Sequence, residues 1–206
     1  TSKSRPAGSS SFVTVRSRPA RQAGPVIVIV CPGQGSQTPG FLAPWLELPG
    51  LRDQLIALSD AAEVDLVAHG TTSDEDTIKD TAVAQPLLVG AGLLALRALG
   101  GGTRSTDAVP ETGAIAGHSV GEITAAAGAG VLSEAAAMRF VALRGRAMAQ
   151  ASAATPTGMS AVLGGDQGAV LATIGRHLLT PANVNGAGQV VAAGSLPALA
   201  ELAADP

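Results

Sequence analysis

The sequence predicts an α/β protein of about one and a half domains, and three observations carry that prediction. A continuous β-branched run from Val26 to Val30 is the pattern of a strand covered on both faces, as in a parallel sheet. Short apolar strands then alternate with stretches of helical period. After Thr155-Pro156-Thr157-Gly158 the composition changes, and a strand-helix-strand-helix series begins. A length of 206 residues, 46% hydrophobic and 14% charged, suits one domain of roughly 150 residues plus a smaller one. Three Phe, one Trp and no Tyr leave the core to Ala, Val, Leu and Ile.

Residues 1–24 hold Lys3, Arg5, Arg16, Arg18 and Arg21 and no acid, amid Ser, Pro and Gly. They cannot bury enough apolar surface to order themselves and are expected to form a disordered leader. That make-up fits a flexible tail or translated upstream sequence better than an organelle transit peptide. A core domain over 25–152 and a smaller one over 153–206 follow. Leu51 to Ala62 places Leu51, Leu55, Ile56 and Leu58 at helical spacing, and Pro86 to Leu99 predicts a second apolar helix with Pro in its first turn, stopped by Gly100-Gly101-Gly102. Ala114-Ile115-Ala116 predicts a buried strand, followed at once by a sharp turn and a small-residue helix to Gly130. Ser133 can cap a helix from Glu134 to about Gln150, with Met138, Val141 and Met148 among its apolar residues. In the smaller domain, Met159 to Leu163 and Gln189 to Ala193 read as strands, and Gln167 to Leu178 and Leu196 to Ala204 as helices.

Composition removes several function classes. The formal net charge is −3, and without the five cations of 1–24 eight basic side chains face 16 acidic ones. A single-stranded nucleic-acid binder needs stacking rings in a basic groove, so no nucleic-acid partner is expected. One cysteine excludes a disulfide framework and makes an intracellular setting the default. The Val26 to Val30 run is far short of the roughly 20 residues that cross a bilayer, and no membrane association is expected. Three scattered His and Cys31 offer no ligand spacing, so no metal is expected.

Gly117-His118-Ser119-Val120-Gly121 fits G-x-S-x-G, the elbow that presents a nucleophilic serine on a turn so tight that Gly is needed two residues to either side. The string alone is weak in a chain rich in Ala, Gly and Ser, and a plain strand-to-helix turn with Ser as N-cap would read the same. A strand before it and a helix after it raise its weight. The Val120 N–H, at the helix start, would then point at a developing oxyanion. A second donor must come from another strand end, and Gly33-Gln34-Gly35 follows the first strand directly. That loop is no dinucleotide site, because Thr38 and Pro39 stand where a third Gly and a smooth helix start are needed. It is no P-loop either, since Phe41 stands in place of Lys.

Five motifs in order carry a specific resemblance: Pro32-Gly33-Gln34-Gly35-Ser36-Gln37, Gln85-Pro86, Gly117-His118-Ser119-Val120-Gly121-Glu122, Arg144-Gly145, and Asn183-Val184-Asn185-Gly186-Ala187-Gly188-Gln189-Val190. From about Val26 onward the chain resembles the malonyl-CoA:acyl-carrier-protein transacylases, above all the discrete actinobacterial enzymes of type II fatty acid synthesis. The resemblance implies an α/β-hydrolase-like core with an inserted ferredoxin-like subdomain, a monomer in the cytoplasm, and no cofactor. Malonyl-CoA is then substrate and acyl carrier protein the partner. It makes Ser119 the nucleophile, Gln34 and Val120 the oxyanion donors, and Arg144 the partner of the malonyl carboxylate, with His118, Gln85 and Asn183 as substrate-binding neighbours. A planar guanidinium suits a carboxylate better than Lys would. His118, adjacent to Ser119 on a sharp turn, is expected to diverge from its Oγ. His69 is expected in a loop, and His177 at a helix end in solvent.

The resemblance also implies a departure. The family's catalytic histidine follows the small subdomain, beyond Pro206, so the chain resembles the N-terminal two thirds, C-terminally truncated, and the fragment alone is expected to have lost most activity. Two alternatives stand beside this reading: an acyltransferase domain of a polyketide synthase, and an inactive fragment that only binds carrier protein.

Overall fold

The computed structural model describes residues 27–102, 104–108, 113–154, 156–186 and 188–205. The leader expected over 1–24 lies outside the described residues. The chain divides into two compact units, with the break between Ala149 and Gln150.

In the first unit the β-branched run becomes β1, Val28–Cys31. Helices α1 (Leu51–Ala62), α2 (Leu66–Thr71), α3 (Glu75–Lys79) and α4 (Thr81–Leu99) follow, then β2 (Ala114–Gly117), α5 (Gly121–Gly128) and α6 (Glu134–Ala154), whose residues from Gln150 onward fall in the second unit. Strands β1 and β2 pair in parallel, with Val28 opposite Ala114 and Cys31 opposite Gly117. That register sets the ends of both strands side by side, and the two turns carrying the candidate chemistry leave from there.

The expectation of a strand covered on both faces fails for β1. Ile29 and Cys31 turn to the core, whereas Val28 is 56% and Val30 73% exposed. Alternate residues of a strand point to opposite faces, and in β1 one face is packed while the other is largely open among the described residues. On α1, Leu51, Leu55 and Leu58 are buried, but Ile56 falls off that face and is exposed.

The second apolar helix begins five residues earlier than expected, because Asp80 caps it: its carboxylate accepts from the Ala82 N–H at 2.7 Å. Pro86 therefore sits inside α4, where it leaves the Ala82 carbonyl without its intrahelical donor. Among the described helices α4 is the one long and apolar enough to cross a membrane, with mean hydropathy 1.7. Its Leu87, Val89, Leu93 and Leu94 are fully buried against α1, α2 and α5, which is the position of a core helix. Ser133 caps α6 as expected, its hydroxyl accepting from Ala136 N–H at 3.2 Å, and Met138 and Val141 are fully buried.

The second unit runs β3 (Thr157–Leu163), α7 (Gln167–Arg176), β4 (Thr180–Asn185), β5 (Gln189–Ser195) and α8 (Leu196–Ala204). Its strands form one antiparallel sheet in the order β3-β5-β4. Ile174, Leu179, Val190, Ala192, Leu199 and Leu202 make its core. Strand β4 was not legible in the sequence: Pro181 and two Asn are poor strand formers, and pairing with β5 places the segment at the sheet edge, with an irregularity between Pro181 and Asn183.

Of the two histidines outside the elbow, one differs from expectation. His69 lies in α2 rather than a loop, its Nδ1 2.9 Å from the Ser73 hydroxyl. His177, at the C-terminus of α7, is partly exposed, and its Nε2 lies 2.9 Å from the Asp205 carboxylate, a hydrogen bond that holds the Asp205 carboxyl below its usual range.

Candidate active site

The turn between β2 and α5 has the strand-turn-helix form that the G-x-S-x-G string predicts. Ser119 has φ of +54°, the left-handed region that a residue with a Cβ enters only when its surroundings impose it. The imposition is steric. A Cβ on Gly117 would lie 2.3 Å from the Gly121 carbonyl carbon, and one on Gly121 would lie 2.3 Å from the Cys31 oxygen and 2.5 Å from the Pro32 oxygen. Hydrogen bonds fix the same geometry: His118 N–H donates to the Cys31 carbonyl at 3.1 Å, Gly121 N–H to His118 at 3.0 Å and Glu122 N–H to Ser119 at 3.0 Å. The outcome is an exposed Ser119 at the start of α5, beside the buried Val120.

The loop after β1 lies against this elbow. A Cβ on Gly33 would meet His118 Nδ1 at 2.9 Å and the His118 oxygen at 3.3 Å, so the loop backbone approaches as only glycine permits. Gln34 is next in the chain. Among the described residues nothing accepts a hydrogen bond from the Gln34 or the Val120 N–H. Two backbone donors from two strand ends, beside an exposed serine, match what stabilisation of a tetrahedral oxyanion requires. The His118 ring faces Gly33.

A second cluster forms where α6 meets the first turn of α4. Gly145 permits it, since a Cβ there would lie 2.9 Å from the Thr81 oxygen. Arg144 Nη1 donates to Gln85 Oε1 at 2.5 Å, and Gln85 Nε2 donates to Met148 Sδ at 3.2 Å. Gln85 is 1% exposed and Arg144 half-buried. Among the described residues no carboxylate pairs with Arg144, so a half-buried guanidinium keeps spare donors, an arrangement suited to a carboxylate ligand. Met148 reads in the sequence as a core residue. Its place four residues after Arg144, on the same helix face, was the available signal.

Asn183 lies in the second unit, half-buried on β4 opposite Val191. Cys31 is 5% exposed, and burial pushes its thiol up to about 11. An apolar cavity of about 310 Å³ is lined by β1, Trp45, Leu88 and Thr124 and includes neither Ser119 nor Arg144. Among the described residues no group of three or more His, Cys, Asp or Glu is placed to hold a metal ion.

Residues 28–205 match the model of the acyl transferase domain. The malonyl CoA-acyl carrier protein transacylase of Mycobacterium bovis is 53% identical over 181 residues, covering 88% of this chain and 59% of that relative. The crystal structure of the Mycobacterium tuberculosis enzyme superposes with a TM-score of 0.81 at 54% identity, again over 88% of this chain and 59% of the other. A malonyl-transacylase solved in complex with a type II polyketide acyl-carrier protein matches with a TM-score of 0.73 at 30% identity, covering 86% and 58%. The chain thus spans about three fifths of the length of these relatives, and its mixed α/β fold is theirs. On the family model's match over most of its length, the chain belongs to the acyl transferase domain family.

Proposed function

We propose that this chain carries the nucleophile of a malonyltransferase, moving a malonyl group from malonyl-CoA to the phosphopantetheine thiol of acyl carrier protein in fatty acid synthesis. The single observation that carries the reading is Ser119 held at φ +54° between the two close-packed glycines. In the first half-reaction Ser119 Oγ bonds to the malonyl thioester carbon, the Oγ proton leaves to a base, and collapse of the oxyanion breaks the C–S bond and releases CoA as its thiol. In the second, the carrier thiol attacks the malonyl-serine ester and Oγ recovers its proton. Two transfers of similar free energy suit a covalent intermediate and call for no cofactor.

Arg144 supports malonyl over acetyl, because its guanidinium lacks a carboxylate partner among the described residues and a malonyl group brings one. The relatives' names supply the substrate and partner, and the solved complex supports a carrier-protein partner. We extend the reading to the fold. Residues 25–152 are the α/β-hydrolase-like core, supported by the parallel β1-β2 pair and its elbow; 153–206 are a ferredoxin-like subdomain, supported by the sheet order β3-β5-β4 with α7 and α8. We extend the reading to a monomer in the cytoplasm, where it would meet soluble carrier protein.

The test is the complete protein with Ser119→Ala, incubated with malonyl-CoA and examined by mass spectrometry. The malonyl adduct should vanish. An undiminished adduct would remove Ser119 from its role.

A further inference from the structure

The loop that offers the Gln34 N–H has little of its own to hold it. Gly35 has φ of +117°, and nothing lies within 4 Å of where its Cβ would be. A glycine in open space can reach many conformations, so the direction of the neighbouring amide must be set from outside. On the N-terminal side the restraint is Gly33, seated against His118. On the C-terminal side it is a side chain. Gln37 Oε1 accepts from the Gly35 N–H at 3.0 Å, and Gln37 Nε2 donates to the Ile78 carbonyl at 3.1 Å. Ile78 belongs to α3 and is 1% exposed, so the far end of this bridge is anchored in the core, 41 residues away in sequence.

We propose that Gln37 is the positioning residue of the oxyanion site: its carboxamide bridges the Gly35 N–H to the Ile78 carbonyl and so fixes the peptide that follows Gln34. The inference rests on the malonyltransferase reading and adds to it the side chain that restrains the peptide adjoining one of the two donors. Both polar ends of the amide are used in a single orientation. Oε1 must face the N–H and Nε2 the carbonyl, because the reverse would set donor against donor and acceptor against acceptor. Gln37 touches neither the serine nor the acyl group, and its effect passes through backbone direction. An oxyanion donor matters only as charge develops on the carbonyl oxygen, so misaiming it slows the chemical step and leaves ground-state binding alone.

The experiment uses the complete protein and malonyl-CoA. Gln37→Met keeps the volume and removes both hydrogen bonds; kcat for acylation should fall about ten- to hundredfold with KM within about twofold. Gln37→Glu adds a readout that a general packing role would not move. An ionised carboxylate can still accept from Gly35 but opposes the Ile78 carbonyl, whereas the protonated acid offers one donor and one acceptor as the amide does. Its rate relative to wild type should therefore recover as pH falls through the range of that carboxyl. In a Ser119→Cys protein, alkylation by iodoacetamide, which develops no oxyanion, should proceed equally with and without Gln37→Met. A kcat within about twofold of wild type, a loss carried by KM, a Gln37→Glu ratio flat with pH, or a parallel loss of alkylation would each overturn the proposal. Failure of the underlying reading is distinct, because it appears as malonyl labelling that survives Ser119→Ala.

Discussion

The elbow around Ser119 is built from backbone, and the cluster around Arg144 is built from side chains. At the elbow, carbonyls of Cys31 and Pro32, amides of His118 and Gly121, and two missing Cβ atoms do all the holding. At Arg144 the holding is done by Gln85 and Met148, through a chain of two side-chain hydrogen bonds. A backbone-built site tolerates changes of side-chain chemistry but no added atom, since peptide groups cannot step aside without moving the strands that carry them. A side-chain-built site accepts changes of volume more easily and suffers when one polar partner is lost. In the proposed reading the first kind presents the nucleophile and the second faces the substrate's charge.

The strongest way to break the comparison is to add one carbon at the elbow. Gly121→Ala places a Cβ 2.3 Å from the Cys31 oxygen, where only backbone can yield. It should cost about 3 kcal/mol or more of stability and abolish malonyl-serine formation, read by denaturant midpoint and by adduct mass. A variant of wild-type stability and activity would show that the elbow is not closed by contact. The next effect is chemical. Arg144→Ala should lower kcat/KM for malonyl-CoA about 100-fold and leave acetyl-CoA nearly unaffected, so that selectivity moves toward acetyl. Arg144→Lys should recover only part of the loss, because an ammonium lacks the planar fork that can serve Gln85 and a carboxylate together. Unaltered selectivity in both would remove Arg144 from substrate recognition.

The same division decides what was legible in the sequence. Glycines at 117 and 121 around a serine, after a strand and before a helix, announce a steric requirement, and the structure meets it atom for atom. The ends of α4 and β4 were harder. Pro86 looks like a helix start, yet the capping carboxylate of Asp80 outweighs it, and Pro86 is absorbed at the cost of one backbone hydrogen bond. Strand β4 exists because β5 pairs with it, a tertiary cause that no local pattern around Pro181 and Asn183 reveals. The exposure of Val28 and Val30 was illegible for a related reason: composition shows that a strand suits burial, while only the assembled elements show which face receives it. Met148 was hidden because an apolar residue on a helix reads as core until a buried amide is found pointing at its sulfur.

Met148 offers a finer test of the side-chain half. Its sulfur is the acceptor that lets the Gln85 amide keep its oxygen toward Arg144, and a thioether is a weak acceptor. Met148 is 39% exposed, so water can take over part of that duty once the sulfur is gone. Met148→Leu should therefore cost only about threefold in kcat/KM for malonyl-CoA, with acetyl-CoA unaffected. A loss as large as that of Arg144→Ala would mean that the whole cluster depends on the sulfur. No loss at all would mean that Arg144 alone orients Gln85.

Cys31 should show the smallest effect, and it separates the two kinds of construction within one residue. Its carbonyl accepts from His118 and bounds the space at Gly121, while its thiol is 5% exposed and turned to the core. Cys31→Ala keeps the carbonyl, so malonyl transfer should stay within about twofold of wild type, and stability should fall by about 1 kcal/mol for the lost sulfur. Burial raises the thiol from 9.0 to about 11, which means that the fold accommodates the neutral form. Above the unfolded value the unfolded chain ionises and the folded one does not. The contribution of the buried thiol is thus fully present below pH 9.0 and is lost as pH rises to about 11. Denaturant midpoints of wild type should decline over that interval more steeply than those of Cys31→Ala, and iodoacetamide at neutral pH should leave native Cys31 unmodified. Alkylation at the rate of an exposed thiol would place the side chain at the surface beside its carbonyl, and the assignment of carbonyl to the elbow and thiol to the core would fail.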